Sequence, residues 1–169
     1  MDMAELVYLS LGSNLGDRAA NLLAAIAQIA AAGPLGRISS LYETQPVDVQ
    51  DQPWFLNCVA AIETRKTPRE LLKFLLSIEA AMGRLRQRNK GPRKIDVDVL
   101  LFGDRVVQEP GLIIPHPSMQ HRRFVLEPLV EIAPEVCHPV FRKTARELLA
   151  ALDESQIVRK VETATWTNS

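Results

Sequence analysis

Residues 54–83 read WFLNCVAAIETRKTPRELLKFLLSIEAAMG, and a strand gives way to a helix inside them. Trp54 to Glu63 is an apolar run rich in aromatic, β-branched and small residues, the pattern of a well-buried strand. Thr67-Pro68-Arg69-Glu70 then forms a capping box with proline at the first helical position, which fixes the start of a helix. Leu71, Leu72, Leu75, Ile78 and Met82 recur at helical spacing, and Gly83 closes the element.

Working outward, residues 5–11 (ELVYLSL) form a β-like run ending in the turn-rich Gly12-Ser13-Asn14-Leu15-Gly16. Asp17 can cap an Ala-rich helix carrying Leu22, Leu23, Ile26 and Ile29, stopped by Gly33-Pro34. Residues 36–44 predict a second strand, and Gln45 to Pro53 a polar loop. On the other side lie a basic loop at 84–94, a strand at 95–102 and a turn at Gly103-Asp104. One or two short strands lead to Ile114, followed by helices over 122–132 and 144–152, the latter opened by a second capping box, Thr144 to Glu147. The order strand, helix, strand, strand, helix, strand predicts an α+β fold with a ferredoxin-like βαββαβ core, an antiparallel sheet covered by helices. No repeat or linker divides residues 1–169, so a single domain is expected; the tail from Asp153 to Ser169 either adds an edge strand or frays.

With 169 residues the chain should bury roughly 70% of its unfolded surface without staples. Apolar residues make up 47% and charged ones 24%, and 20 Lys plus Arg balance 20 Asp plus Glu. That balance argues against bulk electrostatic capture of nucleic acid or an acidic membrane. Cys58 and Cys137 lie in no C-x-x-C pair, and Cys58 reads as a buried free thiol. Met1 to Glu5 lacks a basic signal-peptide region, and no apolar run approaches a membrane span. The expectation is a cytoplasmic protein.

The strongest chemical feature is Arg93-Lys94-Ile95-Asp96-Val97-Asp98-Val99-Leu100-Leu101. On a strand Asp96 and Asp98 share one face, while Ile95, Val97, Val99 and Leu101 point to the other. Two adjacent carboxylates on an apolar strand cost free energy unless cations compensate, and Mg²⁺ bound with substrate phosphates would compensate. A solvated strand face is the alternative. The preceding loop places Arg84, Arg86, Arg88, Lys90, Arg93 and Lys94 within eleven residues and no acid among them. Arginine forks suit phosphate, so a basic loop feeding into D-x-D favours a metal–nucleotide site over a solvated loop or nucleic-acid patch. There is no Walker A and no G-x-G-x-x-G, so side chains and metal must hold the phosphates. The Gly12–Gly16 loop reads as a structural turn. His116, between two prolines, is either a phosphate contact or a surface turn residue; His138 reads as structural. Asn57 interrupts an apolar strand and needs its amide satisfied by backbone or ligand. Phe55 and Phe124 are either walls of a pocket for a planar ring or plain core.

Several strings occur together and in order: Gly12-Ser13-Asn14-Leu15-Gly16, Tyr42-x-Thr44, Asp51-Gln52-Pro53-x-Phe55-Leu56-Asn57, Gly91-Pro92-Arg93-x-Ile95-Asp96-Val97-Asp98, Pro115-His116-Pro117, and Phe124-Val125-Leu126-x-Pro128-Leu129-x-Glu131-Ile132-Ala133-Pro134. On these, over residues 5–150, the sequence resembles the 6-hydroxymethyl-7,8-dihydropterin pyrophosphokinases of folate biosynthesis. The resemblance implies transfer of the β,γ-diphosphate of ATP to the pterin hydroxymethyl oxygen, releasing AMP. It implies two Mg²⁺ ions held by Asp96 and Asp98, with Arg84 and Arg93 as phosphate-contacting catalytic residues and Arg86 in the same loop. It implies Glu79, His116 and Arg122 on the ATP side, Phe55 and Phe124 around the pterin ring, Asn57 reading its amide edge, and Thr44 and Val47 in the same pocket. ATP and the reduced pterin are then the expected partners of a monomer, with no nucleic acid and no membrane. Lys90 stands where some members carry Trp, and Glu43-Thr44-Gln45-Pro46 replaces a more Pro-rich loop. The rivals are a ferredoxin-like RNA-binding module using loop 84–94, and a nucleotidyltransferase that would release pyrophosphate.

Overall fold

The structure is a computed structural model, and it describes residues 3–45, 53–83 and 93–161. In chain order its elements are strand β1 (Glu5–Ser13), helix α1 (Arg18–Ile29), β2 (Leu35–Ile38), β3 (Leu41–Thr44), β4 (Phe55–Thr64), α2 (Pro68–Ala81) and β5 (Asp96–Phe102). These are followed by β6 (Val107–Glu109), β7 (Leu112–Ile114), α3 (Arg123–Ile132), α4 (Ala145–Ala150) and β8 (Val158–Val161). The main sheet runs β5-β1-β4-β3-β8, with β2 also paired to β4, and every described pairing in it is antiparallel. The α+β architecture read from the element order is the one observed.

Local chemistry sets the boundaries. Asp17 accepts from the Ala20 N–H at the start of α1, and both Thr67 and Thr144 form complete capping boxes, with Glu70 and Glu147. Helices cover both faces of the sheet. Leu22, Ile26 and Ile29 of α1 and Leu71, Leu75 and Ile78 of α2 pack on Val7, Leu9 and Leu11 of β1. Val125, Leu126, Leu129 and Ile132 of α3, with Ala145 and Leu148 of α4, pack on Tyr8, Val59 and Ala61. Each fully buried Leu or Ile contributes about 1.5–3 kcal/mol by leaving water.

Two details differ from the expectations, and one open alternative resolves. The strand expected over 36–44 breaks into β2 and β3, each lying along a different half of the longer β4. At the break Ser39 stands in for the ladder: its N–H donates to the Val59 carbonyl and its Oγ accepts from the Val59 N–H, both at 2.9 Å. Leu101 does not share a face with Val97 and Val99. The pairing of β1 with β5 skips Leu100, so both Leu100 and Leu101 join the α3 side and Phe102 returns to the α1–α2 side. The tail supplies β8, an edge strand on β3 that contains Val158 and Val161.

Candidate active site

One sheet face, on the α3 side, carries most of the chemistry-bearing residues. Directly paired residues of antiparallel strands share a face. Asp96 pairs with Gly12, Gly12 with Asn57, and Asn57 with Tyr42, so a single row crosses β5, β1, β4 and β3. Asp98 opposes Ser10 in the next row, and Thr44 opposes Phe55. Adjacent strands lie about 4.8 Å apart, which puts the Asp96 and Asn57 backbone positions roughly 10 Å from each other.

The carboxylate end is built from strand alternation and two neighbours. Asp96 and Asp98 are partly exposed while Val97 and Val99 are buried. Arg93 Nη1 lies 2.9 Å from Asp96 Oδ2, and Arg93 Nε is buried with no hydrogen-bond partner among the described residues. Glu79 is 3% exposed, and its Oε2 accepts from the Val97 N–H at 2.8 Å, between the two aspartates on the strand edge. Its carboxylate is thus turned to backbone under the sheet and not to open solvent.

His116 stands beside Asp98, with Nε2 3.9 Å from Asp98 Oδ2. Its backbone N–H donates to the Leu100 carbonyl, and Nδ1 accepts from the Ser118 N–H at 3.1 Å. Burial, helped by the Arg122 charge and opposed by Asp96, lowers its pKa to about 4. The neutral ring therefore keeps its proton on Nε2, the atom facing Asp98, and the contact is not an ion pair near pH 7. Arg122 also lies over the Phe124 ring, 5.6 Å from its centroid. A cleft opens next to this cluster, walled by Leu72, Leu75, Val97, Val99, Leu112 and Ile114, with Asp98 and His116 at its edge.

The amide end is drier. Asn57 is 4% exposed; its Oδ1 accepts from Thr44 Oγ1 at 2.8 Å, and its Nδ2 makes a long 3.5 Å contact to the Leu11 carbonyl. Gly12 keeps the floor between the two ends open. A Cβ there would lie 2.6 Å from Asn57 Nδ2 and 3.4 Å from Phe55 Cδ1. Tyr42 donates to Glu131 of α3 at 2.8 Å, and Glu131 also takes the Ser40 N–H and Oγ. Burial alone would raise Glu131, but the Ser40 and Tyr42 hydrogen bonds outweigh it and hold the carboxyl low. Phe124 opens α3 and packs against the core on this same face.

The structure brings together Thr44, Phe55, Asn57, Asp96, Asp98, His116, Arg93, Arg122 and Phe124 around this face, with Glu79 beneath it. Val47, Arg84 and Arg86 lie outside the described residues. Sequence reading missed several supports. Asn14 reads in the sequence as part of a turn, yet it binds both Arg93 and Pro53. Arg18 pairs with Glu43 at 2.9 Å and donates to the Trp54 carbonyl, while Arg159 of β8 pairs with Glu43 at 2.7 Å and lies over the Trp54 ring. The Arg159 and Arg18 contacts lower the Glu43 pKa. Residues 116 apart in sequence leave no local signal of such a contact.

A family model described as 7,8-dihydro-6-hydroxymethylpterin-pyrophosphokinase (HPPK) matches residues 8–134. The 2-amino-4-hydroxy-6-hydroxymethyldihydropteridine pyrophosphokinase of Methylorubrum extorquens is 47% identical over 90% of this chain and 96% of its own length. The protein of the same name from Bacillus subtilis is 44% identical over 79% of this chain and 81% of its own. The folic acid synthesis protein fol1 of Schizosaccharomyces pombe is 41% identical, but the chain spans only 21% of it. The crystal structure of wild-type Plasmodium falciparum HPPK-DHPS superposes with a TM-score of 0.70 at 18% identity, over 89% of this chain and 45% of that one. At that identity it speaks for the fold alone.

Proposed function

The chain belongs to the 7,8-dihydro-6-hydroxymethylpterin-pyrophosphokinase family, and on that premise we propose that the Asp96–Gly12–Asn57 row is the floor of its reaction centre. The chain is an ATP-dependent diphosphotransferase of folate biosynthesis: it moves the pyrophosphoryl group of ATP to hydroxymethyldihydropterin. The observation that carries the site assignment is the register. It sets a carboxylate pair and a buried amide two strands apart on one face, roughly 10 Å, the span a fused bicyclic ring and its hydroxymethyl arm need.

Phe55 and Phe124 are the flat walls for the pterin ring, Asn57 reads its amide edge, and Thr44 holds the Asn57 amide in orientation; Val47 is assigned to the same pocket. Asp96 and Asp98 are the metal ligands. No group of three or more His, Cys, Asp or Glu side chains among the described residues would cage an ion. Two hard carboxylates beside an unfilled arginine donor instead suit an ion that completes its shell with water and phosphate, as Mg²⁺ does. Two such ions, when bound, would neutralise the polyphosphate and hold it in line with the hydroxyl.

The remaining work falls to this chain's own side chains. Arg93, with Arg84 and Arg86 of the basic loop, would stabilise charge on the transferring group and on departing AMP. His116 would offer its Nε2 proton to a phosphate oxygen, Arg122 would add charge behind it, and the neighbouring apolar cleft would take the nucleotide base. Glu79 supports the metal strand through Val97 N–H. Positioning and electrostatics dominate such transfers, and closure against water suppresses hydrolysis.

We assign residues 1–169 to one pyrophosphokinase domain, β8 included, acting as a monomer in the cytoplasm without nucleic acid. The RNA-binding alternative gains nothing from a sheet face that presents Asp96 and Asp98 to phosphate. Incubation with ATP, Mg²⁺ and the reduced hydroxymethyl pterin, with nucleotides resolved, tests the reaction. AMP that appears only with pterin is expected. ADP would mean an ordinary kinase, and pyrophosphate a nucleotidyltransferase; either would overturn this reading.

A further inference from the structure

Asn14 follows the last residue of β1 and is 1% exposed. Its Oδ1 accepts from the Arg93 backbone N–H at 2.7 Å, its own N–H donates to the Arg93 carbonyl at 3.0 Å, and its Nδ2 donates to the Pro53 carbonyl at 3.3 Å. The two segments it grips arrive from opposite sides. Arg93 leads into β5 and reaches Asp96; Pro53 stands two residues before Phe55. Neither is held by the sheet at that point. The β1–β5 ladder ends at Gly12–Asp96 and the β1–β4 ladder at Ser13–Leu56, so Asn14 acts two residues beyond the end of the first and one beyond the end of the second.

We propose that Asn14 is a positioning residue for the transfer, setting the phosphate-side Arg93 and the pterin-side start of β4 at a fixed separation. This deepens the function proposed above and rests on it. The chemistry of the side chain fits the task. A carboxamide carries an acceptor and a donor on one rigid plane, so it can bracket an N–H on one side and a carbonyl on the other. Ser, Ala or Asp can reproduce at most half of that. Displacing a reacting group by 1 Å can cost on the order of 100-fold in rate, which is the leverage such a bracket has. The surrounding loop has a second anchor, because Asn21 Nδ2 donates to Ser13 Oγ at 3.2 Å and to the Leu15 carbonyl at 2.8 Å.

Two variants separate the halves. Asn14→Asp keeps the acceptor for Arg93 N–H and removes the donor to Pro53; Asn14→Ala removes both side-chain bonds. Each is compared with wild type for kcat and KM in pterin-dependent AMP formation, for equilibrium binding of the pterin and of α,β-methylene-ATP with Mg²⁺, and for thermal midpoint. The expected result for Asn14→Asp is pterin binding weakened at least fivefold with nucleotide-analogue binding within twofold of wild type. For Asn14→Ala, kcat falls at least tenfold and both ligands bind more weakly, in a protein that still melts cooperatively. Unchanged kcat and KM in Asn14→Ala, or equal loss of both ligands in Asn14→Asp, would overturn the proposal while wild-type turnover leaves the assigned reaction standing. Absence of pterin-dependent AMP in wild type would remove that reaction instead.

Discussion

Adding one methyl group at Gly12 tests the row that joins the carboxylate and amide ends. The new Cβ would sit 2.6 Å from Asn57 Nδ2, so the amide has to retreat by roughly 1 Å to reach ordinary contact. It has nowhere to go: Asn57 is 4% exposed, and its Oδ1 is fixed by Thr44 at 2.8 Å. Breaking that buried hydrogen bond costs about 1–3 kcal/mol. Replacing Gly by Ala within a strand returns about 0.5–1 kcal/mol of backbone entropy, so global stability should fall by no more than about 2.5 kcal/mol. Pterin recognition bears the displacement directly, and a loss of 1–3 kcal/mol there is about 5- to 150-fold in affinity. The assay is equilibrium pterin binding to wild type and Gly12→Ala, repeated in an Asn57→Ala background. In that background the methyl has room, and the second substitution should add little, a non-additivity that reports direct contact. Wild-type pterin affinity in Gly12→Ala, or equal effects in both backgrounds, would refute the reasoning.

Asp98→Ala should lose nearly all turnover with its melting temperature little changed, since Asp98 faces the site and its side chain is 47% exposed; retained activity in steady-state assays would dismiss the metal-ligand role. In the native protein one thiol should react with a disulfide reagent and two after denaturation: Cys137 is exposed, whereas burial pushes Cys58 up to about 12. His138 is buried and its Nδ1 accepts from the Val140 and Phe141 N–H groups, so burial lowers its pKa from 6.5. Below that value the unfolded chain binds a proton the folded ring resists, and stability should therefore fall as pH drops under about 6.5. Thermal melts from pH 7 to 5 should show a shallower decline in His138→Asn, whose Oδ1 can take the same amide bonds.

Much of this molecule was readable from short-range chemistry. The capping boxes at Thr67 and Thr144, the stop at Gly33-Pro34 and the alternation around Asp96 and Asp98 each act within a few residues, and the structure forms its elements there. What escaped depends on distant partners or on registers that composition hides. Val99-Leu100-Leu101-Phe102 is apolar throughout, so no alternation marks the skipped residue that turns Leu101 to the other face. The Ser39 break is visible only once Val59 is alongside. Asn14 looks like turn chemistry until Arg93 and Pro53 are folded against it. The family resemblance puts Glu79 on the ATP side, but only the folded strand edge reveals the buried Val97 N–H that its carboxylate holds.

The central placement of β1 bears on how the chain is made. It precedes every other described strand in the chain, yet its flanks are β4, reached through Glu5 and Thr64, and β5, reached through Val7 and Phe102. Both edges of an apolar strand stay open until β4 has been released, and the β5 edge stays open until the whole of β5 follows, so helices α1 and α2 meanwhile have an incomplete surface on which to dock. Closing such long loops before their contacts repay the lost entropy slows folding relative to a domain built from local contacts. The vulnerable interval thus ends with Phe102, and a chain stalled before that residue would offer chaperones, or its neighbours, the open edge of the strand that carries Gly12.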